Sequence, residues 1–220
     1  MTPVVVSWSG GKDAAWALHE LRRRRDVEVL GLLSTVDDRS DLVGMHRVPA
    51  ALLQAQAESL GLPLWRMPVA WPCPDEVYVA TLAETLARNA PAARVLVFGD
   101  LFLDDIRAWR ERMLGALGFE PWFPLWNRPT AALAEEMFDG GLRARVVCVD
   151  GSQLDPRWLG REWDARFVTD LPAGVDPCGE RGEFHTLVLD GPDFRWPITA
   201  PLHGHATDGR FHWLTEEEDD

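Results

Sequence analysis

The sequence predicts an α/β protein in which a parallel sheet, covered by helices on both faces, is followed by a smaller α+β domain. Short apolar segments alternate with amphipathic helical segments through the first half of the chain, as in sheets built with crossover helices. The alternation stops near residues 124–127, and later segments are shorter and stand beside Asp-Gly turns. We therefore expect an N-terminal domain at residues 1–127 and a C-terminal domain at residues 128–220.

The N-terminal domain begins with a strand predicted at residues 4–7, where three valines are consecutive. The first helix follows the polar turn at residues 9–13, because small and apolar residues then recur on one side of it. Gly61 is the expected C-cap of the second helix, and Asp75 is the expected N-cap of the third. The remaining strands are predicted at residues 27–33, 64–69 and 94–98, and the remaining helices at residues 49–60, 75–89 and 104–117.

The C-terminal domain is predicted to mix short helices and strands. A helix at residues 130–138 ends at Gly140-Gly141, and a strand follows at residues 144–149. A short ordered piece is expected at residues 163–169, before a stretch rich in proline and glycine. The last two strands, each beside an Asp-Gly turn, are expected at residues 184–189 and 210–214.

The charge balance argues against nucleic acid as a partner. The formal net charge is −13, and five acidic residues form the tail at residues 216–220, which we expect to be disordered. The one basic run, at residues 22–25, is expected to be the solvated end of a helix, complementing its dipole. No apolar run is long enough to span a membrane, and nothing at the N-terminus is typical of a signal peptide, so we expect a cytoplasmic protein. The three cysteines lie far apart without a C-x-x-C pair, which predicts neither a disulfide framework nor a zinc site.

The first motif is the turn Ser9-Gly10-Gly11-Lys12-Asp13, between the first strand and its helix. Its glycines allow consecutive N–H groups to converge on an anion at a helix N-terminus, and Lys12, the only lysine in the chain, adds a positive charge. Asp13 could hold Mg²⁺ against the same phosphate. The spacing fits neither the Walker P-loop nor the dinucleotide fingerprint. The alternative is a serine-capped helix that binds nothing.

The second motif is Gly99-Asp100, at the carboxyl end of a predicted strand, where open α/β sheets place ligands. For Asp100, a binding role and a surface ion pair remain equal alternatives. The following helix carries charges on one face, and we expect Arg107, Arg110 and Glu111 to form a solvated ion-pair ladder.

The third motif lies in residues 176–186. The two-residue period of a strand predicts Glu183 and His185 on one face, where a carboxylate and an imidazole could move protons on one substrate. The alternative is the polar face of a hairpin strand. Cys178, in the same segment, is expected to be structural.

The first motif resembles the PP-loop of ATP pyrophosphatases, whose pattern is S-G-G-x-D-S. Ala14 replaces the last serine, which removes one hydroxyl from the expected pyrophosphate site. Enzymes of that superfamily cleave ATP between the α and β phosphates, adenylate a substrate and let a nucleophile displace AMP.

Most of the chain, from Ser7 to about Phe194, is similar to the diphthine–ammonia ligase family, above all to its bacterial-type members. Its most specific segment, residues 176–186, matches D-P-C-G-E-N-G-E-F-H-T with Arg181 in place of the asparagine. The other matching segments are Met45-His46, residues 55–63, Trp71-Pro72-Cys73, Gly99-Asp100 and Pro124-Leu125-Trp126.

The resemblance implies a Rossmann-like (HUP-type) nucleotide-binding domain and a C-terminal domain that closes the active site. It implies that a substrate carboxylate attacks the α-phosphate of ATP, and that ammonia then displaces AMP to form an amide. The implied catalytic residues are Asp100, Glu183 and His185, the last two facing the acyl group and ammonia, with Asp13 as the Mg²⁺ ligand. The implied ATP-binding residues are Ser7, Trp8, Ser9, Gly10, Gly11, Lys12, Asp13, Ser34 near the adenine or ribose, His46 over the nucleotide and Gly99. For His46, a capping or core position is an equal alternative.

The leading hypothesis is therefore an AMP-forming ligase that amidates a carboxylate, small or protein-borne. Diphthine on elongation factor 2 is the substrate that the resemblance implies, although the bacterial-type motifs leave another carboxylate open. The alternatives are a non-catalytic ATP sensor, which Ala14 favours, and a tRNA-modifying PP-loop enzyme, which would need a basic face or a cysteine pair. The eleven tryptophans, including Trp122 and Trp126, could line a pocket or a homodimer interface.

Overall fold

A computed structural model describes residues 1–216, in which two sheets are flanked by six α-helices. The acidic tail expected to be disordered lies, from residue 217 onward, outside the described residues. The strands are β1 (Thr2–Ser7), β2 (Val27–Asp37), β3 (Leu42–Val43), β4 (Val48–Pro49), β5 (Leu64–Val69), β6 (Val95–Val97), β7 (Glu120–Trp122), β8 (Arg143–Asp150), β9 (Glu162–Trp163), β10 (Phe184–Asp190), β11 (Gly204–Thr207) and β12 (Phe211–Thr215). The helices are α1 (Lys12–Arg22), α2 (Ala50–Leu60), α3 (Asp75–Asn89), α4 (Asp104–Ala116), α5 (Thr130–Asp139) and α6 (Ala165–Asp170).

The first sheet is built on five parallel strands in the spatial order β5, β2, β1, β6, β7. Numbered along the chain, this is the order 3-2-1-4-5 of a Rossmann-like sheet. Val4 and Val6 of the central strand pack into one hydrophobic core, and Val5 packs into a second core on the opposite face. The predicted α/β class, with a mostly parallel sheet covered on both faces, is confirmed.

The second strand is longer than the sequence predicted. β2 continues to Asp37, and its last part pairs with β5 and, through Val36 and Val43, with β3. The hairpin of β3 and β4, which the sequence analysis missed, thus extends the sheet beyond the end of β1. These partners complete the hydrogen bonding of β2 where β1 has already ended.

The expected N-cap of α3 is wrong by one residue. Asp75 is the first helical residue, and Pro74 occupies the cap position without a side-chain hydrogen bond. The Asp75 carboxylate instead accepts a hydrogen bond from the Trp109 indole of α4, at 3.2 Å. Gly61 ends α2 as expected, in the left-handed conformation with φ of 68°.

The second sheet is antiparallel, in the order β10, β8, β12, β11, with β9 paired to β8. It joins the first sheet at the glycine turn, where the Val188 N–H of β10 donates to the Gly10 carbonyl at 2.9 Å. One continuous core contains residues of both predicted domains, including Leu18 of α1 and Phe184 of β10. The boundary at residue 127 stays a prediction.

The outer strand β7 has an unusual edge. Its first and last residues, Glu120 and Trp122, hydrogen-bond inward to the neighbouring strand and its flanks, and Pro121 lies between them.

Within residues 1–216 no helix is both long and apolar enough to cross a membrane. The cytoplasmic location and the homodimer stay predictions.

Candidate active site

A cavity of about 390 Å³ opens at the carboxyl ends of the parallel strands. The glycine turn after β1 forms its floor, and the β3–β4 hairpin and the region after β6 form two sides. Residues that precede and begin β10 form the remaining wall. Its polar and charged lining residues are Ser7, Ser9, Lys12, Asp13, Thr35, His46, Tyr78, Asp100, Arg110, Glu180, His185 and Thr186.

The glycine turn brings main chain close to the opposite wall. Gly10 has a φ of 79°, which favours glycine. A side chain at Gly11 would place its Cβ 2.9 Å from the His46 ring and 3.2 Å from the Thr186 carbonyl oxygen. Helix α1 then begins at Lys12, and its N-cap residue Gly11 supplies no side-chain cap. The Lys12 N–H donates to Thr186 Oγ1 at 3.2 Å, and the first residues of the helix line the cavity. A serine-capped helix, the alternative left open by the sequence, is not seen, because Ser9 Oγ accepts only from the Gly11 N–H, at 3.3 Å, among the described residues.

Lys12 is buried at the floor of the cavity, with 2% of its surface exposed. Its ammonium donates to Asp13 Oδ2 at 2.7 Å and to the main-chain carbonyl of Cys178. Burial alone would lower the pKa of Lys12, but the neighbouring charges, first that of Asp13, raise it overall, so the ammonium stays protonated. The lone lysine therefore ties the turn to the wall formed by the C-terminal half.

Asp13 has one oxygen bound and one free. Its Oδ1 is buried and has no hydrogen-bond partner within the described part of the chain. A buried carboxylate oxygen without a hydrogen-bond partner is suited to a hard cation such as Mg²⁺. No group of three or more histidine, cysteine or acidic residues within residues 1–216 is arranged to hold a metal alone.

Gln56 of α2 holds the glycine turn in place, a residue that the sequence analysis did not single out. It is fully buried; its Oε1 accepts from the Trp8 indole at 2.9 Å. Its Nε2 donates to the carbonyls of Gly10, at 3.0 Å, and Val188, at 2.8 Å. One amide thus connects α2, the glycine turn and β10. The available signal was a polar residue within the apolar face of a helix.

Replacing Gln56 with methionine is expected to lower the free energy of unfolding by about 2–3 kcal/mol, because the Trp8 indole N–H and the Val188 carbonyl lose their partner. The Gly10 carbonyl loses one of two hydrogen bonds and keeps that from the Val188 N–H. Chemical denaturation measures this loss. The matched control is Gln54→Met, because Gln54 is exposed on the same helix and bonds only Glu58, at 3.1 Å. An equal loss of unfolding free energy in the two variants would contradict the conclusion that Gln56 holds the glycine turn in place.

Asp100 lines the cavity, and Arg110 holds its carboxylate through two hydrogen bonds of 2.7 and 3.1 Å. The Arg110 guanidinium also lies 4.0 Å from the centre of the Phe98 ring. The expectation that Arg110 belongs to a solvated ladder is wrong, because the turn of α4 that carries it faces Asp100. Arg107 and Glu111 do form an exposed pair, at 2.7 Å.

Glu183 and His185 do not share the cavity as the strand period predicted. The Glu183 carboxylate is buried and accepts hydrogen bonds from the N–H groups of Asp176, at 2.9 Å, and Arg181, at 3.0 Å. The Glu183 side chain therefore holds the loop before β10 in its conformation and does not line the cavity. The period failed because β10 begins only at Phe184, after Gly182 with a φ of 84°.

Glu180, which the sequence analysis passed over, lies in the cavity wall. Its Oε1 accepts from the Leu101 N–H at 2.7 Å and, more weakly, from the Phe102 N–H at 3.4 Å. Desolvation raises the pKa of Glu180 to about 7, against the lowering effect of the Leu101 N–H. The motif signalled an acidic residue here, but its spacing did not distinguish it from Glu183.

His46 and His185 face each other across one side of the cavity, with ring centres 4.8 Å apart. The His46 Nδ1 lies 3.1 Å from the Thr186 carbonyl, which can only accept, so this nitrogen carries the proton. Desolvation lowers the pKa of His46 to about 4 and that of His185 well below its usual value. Both imidazoles are therefore neutral near pH 7.

Three further predicted residues lie as follows. Gly99 touches the glycine turn, so that a Cβ there would lie 2.7 Å from the Asp13 carbonyl carbon. Trp8 lines the cavity but is almost fully buried. Ser34 is buried outside the cavity and donates to the Trp8 carbonyl at 2.5 Å, whereas Thr35 lines the cavity. The expected placement of Ser34 near a nucleotide is thus not seen, because alternate strand residues point to opposite faces.

The cysteines show no arrangement for thiol chemistry. Cys148 and Cys178 are buried, all three cysteines are free, and burial raises the pKa of the Cys178 thiol. The expectation that Cys178 is structural agrees with this placement.

A 3-2-1-4-5 parallel sheet with a glycine turn and a helix N-terminus at its carboxyl edge defines the Rossmann-like class, in which such edges bind nucleotides. The chain belongs to the diphthamide synthase family. The model of the diphthamide synthase N-terminal domain matches residues 2–121, and that of its C-terminal domain matches residues 129–214. The resemblance seen in the sequence is confirmed.

Three similar curated proteins carry the name diphthine–ammonia ligase. The Homo sapiens protein is 26% identical over 212 residues, covering 86% of this chain and 79% of the relative. The Danio rerio protein is 28% identical over 216 residues, covering 89% and 85%. The Schizosaccharomyces pombe protein is 26% identical over 208 residues, covering 85% of this chain but 34% of that longer relative. These names support the predicted enzyme class, an amide-forming ligase.

Proposed function

We propose that the protein is an ATP-dependent, AMP-forming ligase that adenylates a substrate carboxylate and then amidates it with ammonia. One observation carries the proposal. A single cavity joins the uncapped helix N-terminus, Lys12 and Asp13 of the first half to Glu180 and His185 of the second half. An anion site beside proton-accepting groups is what adenylation followed by amide formation requires.

The phosphates of ATP are proposed to lie on the glycine turn and the start of α1. Two of the three ammonium protons of Lys12 are used by Asp13 and Cys178, which leaves one for a phosphate oxygen. Asp13 Oδ1 would hold Mg²⁺, which proteins commonly bind through one or two carboxylates together with substrate phosphates. When bound, the ion would neutralise phosphate charge.

The adenosine and the acyl group are proposed to occupy opposite ends of the cavity. Thr35 and His46, on the β2 and hairpin side, would contact the nucleoside, so we move the role expected of Ser34 to Thr35. Asp100 and Arg110, on the β6 side, would contact the acyl substrate. The Arg110 guanidinium lies over the Phe98 ring, 4.0 Å from its centre, and is fixed by Asp100, so its position is set before a substrate carboxylate binds.

In the proposed reaction the carboxylate oxygen attacks the α-phosphorus of ATP and pyrophosphate leaves. Lys12 and the main-chain N–H groups of the turn would stabilise the charge on the phosphates. Nitrogen then attacks the acyl carbon, the bond to AMP breaks and an amide forms. Glu183 would act as a positioning residue, because it shapes the loop that carries Glu180.

The substrate is proposed to be a carboxylate of the diphthine type, since the relatives are named for diphthine and ammonia. The test is incubation with α-labelled ATP, Mg²⁺, ammonium and diphthine-bearing elongation factor 2, with products resolved as AMP or ADP. AMP formation that requires both ammonium and the substrate is expected. ADP as the only product would contradict the α-phosphate mechanism.

The second candidate is a non-catalytic ATP-binding protein. Ala14 lines the cavity where the superfamily pattern has a serine, so a hydroxyl that could contact pyrophosphate is missing. The same assay separates the two, because tight binding of intact ATP without pyrophosphate release favours the sensor. The alternative of a tRNA-modifying enzyme that uses a cysteine pair loses support, because all three cysteines are unpaired.

A further inference from the structure

Three carboxylates line the cavity, and two of them are neutralised. Asp13 pairs with Lys12, and both oxygens of Asp100 accept from Arg110. Glu180 has no cationic partner among residues 1–216, and no hydrogen bond of the described residues engages its Oε2. The cavity therefore offers one carboxylate oxygen that is held in place yet free to meet a ligand.

The position of Glu180 is fixed from both sides. Its Oε1 accepts from the N–H of Leu101, the residue that follows Asp100. Two residues before it, the Cys178 carbonyl accepts from the Lys12 ammonium. The Glu180 side chain thus lies between the proposed phosphate end and the proposed acyl end of the cavity, beside the place where the acyl-adenylate would form.

The second half of the proposed reaction needs a proton acceptor at this place. Ammonia in neutral water is almost entirely ammonium, which has no lone pair, so nitrogen can attack only after one proton has been removed. A carboxylate without a cationic partner attracts ammonium and can take that proton.

We propose that Glu180 binds the incoming ammonium ion and deprotonates it, as the general base of amide formation. This inference rests on the proposed function. An N–H bond of ammonium breaks and its proton moves to Glu180 Oε2, which yields ammonia and a neutral carboxyl group. The nitrogen lone pair then forms the C–N bond, the bond from the acyl carbon to the AMP oxygen breaks, and AMP leaves with that electron pair. The second proton lost by nitrogen is released to water together with AMP.

The surroundings of Glu180 suit this role. Desolvation, with smaller contributions from Asp13 and Asp100, raises the pKa of Glu180 to about 7 against the lowering effects of the Leu101 N–H and Lys12. A base with a pKa close to the working pH is efficient, because it is available as a base and still holds the proton it takes.

Glu183, favoured from the sequence for this step, is less suitable. Both of its oxygens accept main-chain hydrogen bonds, and its carboxylate is buried outside the cavity lining. Removing it would unfold the loop rather than remove a base.

The test compares two nucleophiles in the isosteric variant Glu180→Gln, which keeps an acceptor for the Leu101 N–H. Wild type and variant are given ATP, Mg²⁺ and diphthine-bearing elongation factor 2, with either ammonium or hydroxylamine. Hydroxylamine is largely unprotonated at neutral pH and needs no prior deprotonation. We expect the variant to form AMP and amide roughly 10²-fold more slowly with ammonium. With hydroxylamine its rate should equal that of the wild type.

The matched control is Glu111→Gln, which removes an exposed carboxylate of α4 outside the cavity and should change neither rate. A Glu180→Gln variant that is equally slow with both nucleophiles, or as fast as wild type with both, overturns the inference. Thermal unfolding of the variant checks that the fold is kept. If the wild type forms no AMP with either nucleophile, the proposed function itself fails, and the inference fails with it.

Discussion

Replacing Lys12 with methionine is expected to reduce ATP turnover by roughly 10³-fold, because a buried donor beside the phosphates is lost. The same change should lower the free energy of unfolding by about 3–5 kcal/mol, since it removes one partner of a buried ion pair. Methionine keeps the length of the side chain, so little packing is lost. The ammonium donates to both Asp13 and the Cys178 carbonyl. The loss of stability therefore has two parts, one from the unpaired carboxylate and one from the unsatisfied carbonyl.

The double variant Lys12→Met, Asp13→Asn separates these parts. Removing the orphaned charge should recover part of the lost stability in urea denaturation, while ATP turnover stays abolished. If Lys12→Met alone unfolds at the same urea concentration as the wild type, the buried pair does not hold the two halves together. Isothermal titration with a non-hydrolysable ATP analogue provides the binding readout.

Replacing Gly99 with alanine is expected to lower turnover by roughly 10²-fold, because the catalytic turn would be displaced. The new Cβ would lie 2.7 Å from the Asp13 carbonyl carbon and 2.8 Å from the Ala14 nitrogen. These are main-chain atoms at the start of α1, which cannot rotate away as a side chain could. Stability should fall by about 1–3 kcal/mol, the usual cost of overpacking.

The control for this substitution is Gly115→Ala in α4, where an added Cβ meets nothing within 4 Å. Because alanine is the better helix former, this variant should be more stable by up to about 1 kcal/mol, with unchanged turnover. The pair distinguishes a steric effect at the site from a general effect of glycine replacement. A Gly99→Ala enzyme with normal turnover would contradict the close contact of β6 with the turn.

The class of the fold was predictable because apolar strands and amphipathic helices follow one another along the chain. Very short elements were not: β3 and β4 have two residues each, too few to show a period. The end of β2 was misjudged for a related reason. Three of its last four residues, Ser34, Thr35 and Asp37, are polar, yet pairing with β5 and β3 keeps this end of β2 in the sheet.

The candidate site was predictable where neighbours in sequence are neighbours in space. Residues 9–13 and Gly99-Asp100 sit at strand ends, and the rule for parallel sheets places them together. Gln56 and Arg110 act through contacts with residues 46 and 10 positions away, which no local pattern records. Glu180 lines the cavity in place of Glu183, because the turn at Gly182, which a two-residue period does not reveal, lies between them.

The edge strand β7 bears on how two copies of this protein could associate. Glu120 and Trp122 direct their main-chain hydrogen-bonding groups inward, toward β6 and its flanking residues. The residue of β7 whose main chain faces outward is therefore Pro121, which has no N–H. A strand from another molecule would find no donor at the centre of this edge and could not extend the sheet into a fibre-like stack. Self-association of two copies on this side would therefore have to use side chains, such as the nearby tryptophans, and not strand pairing.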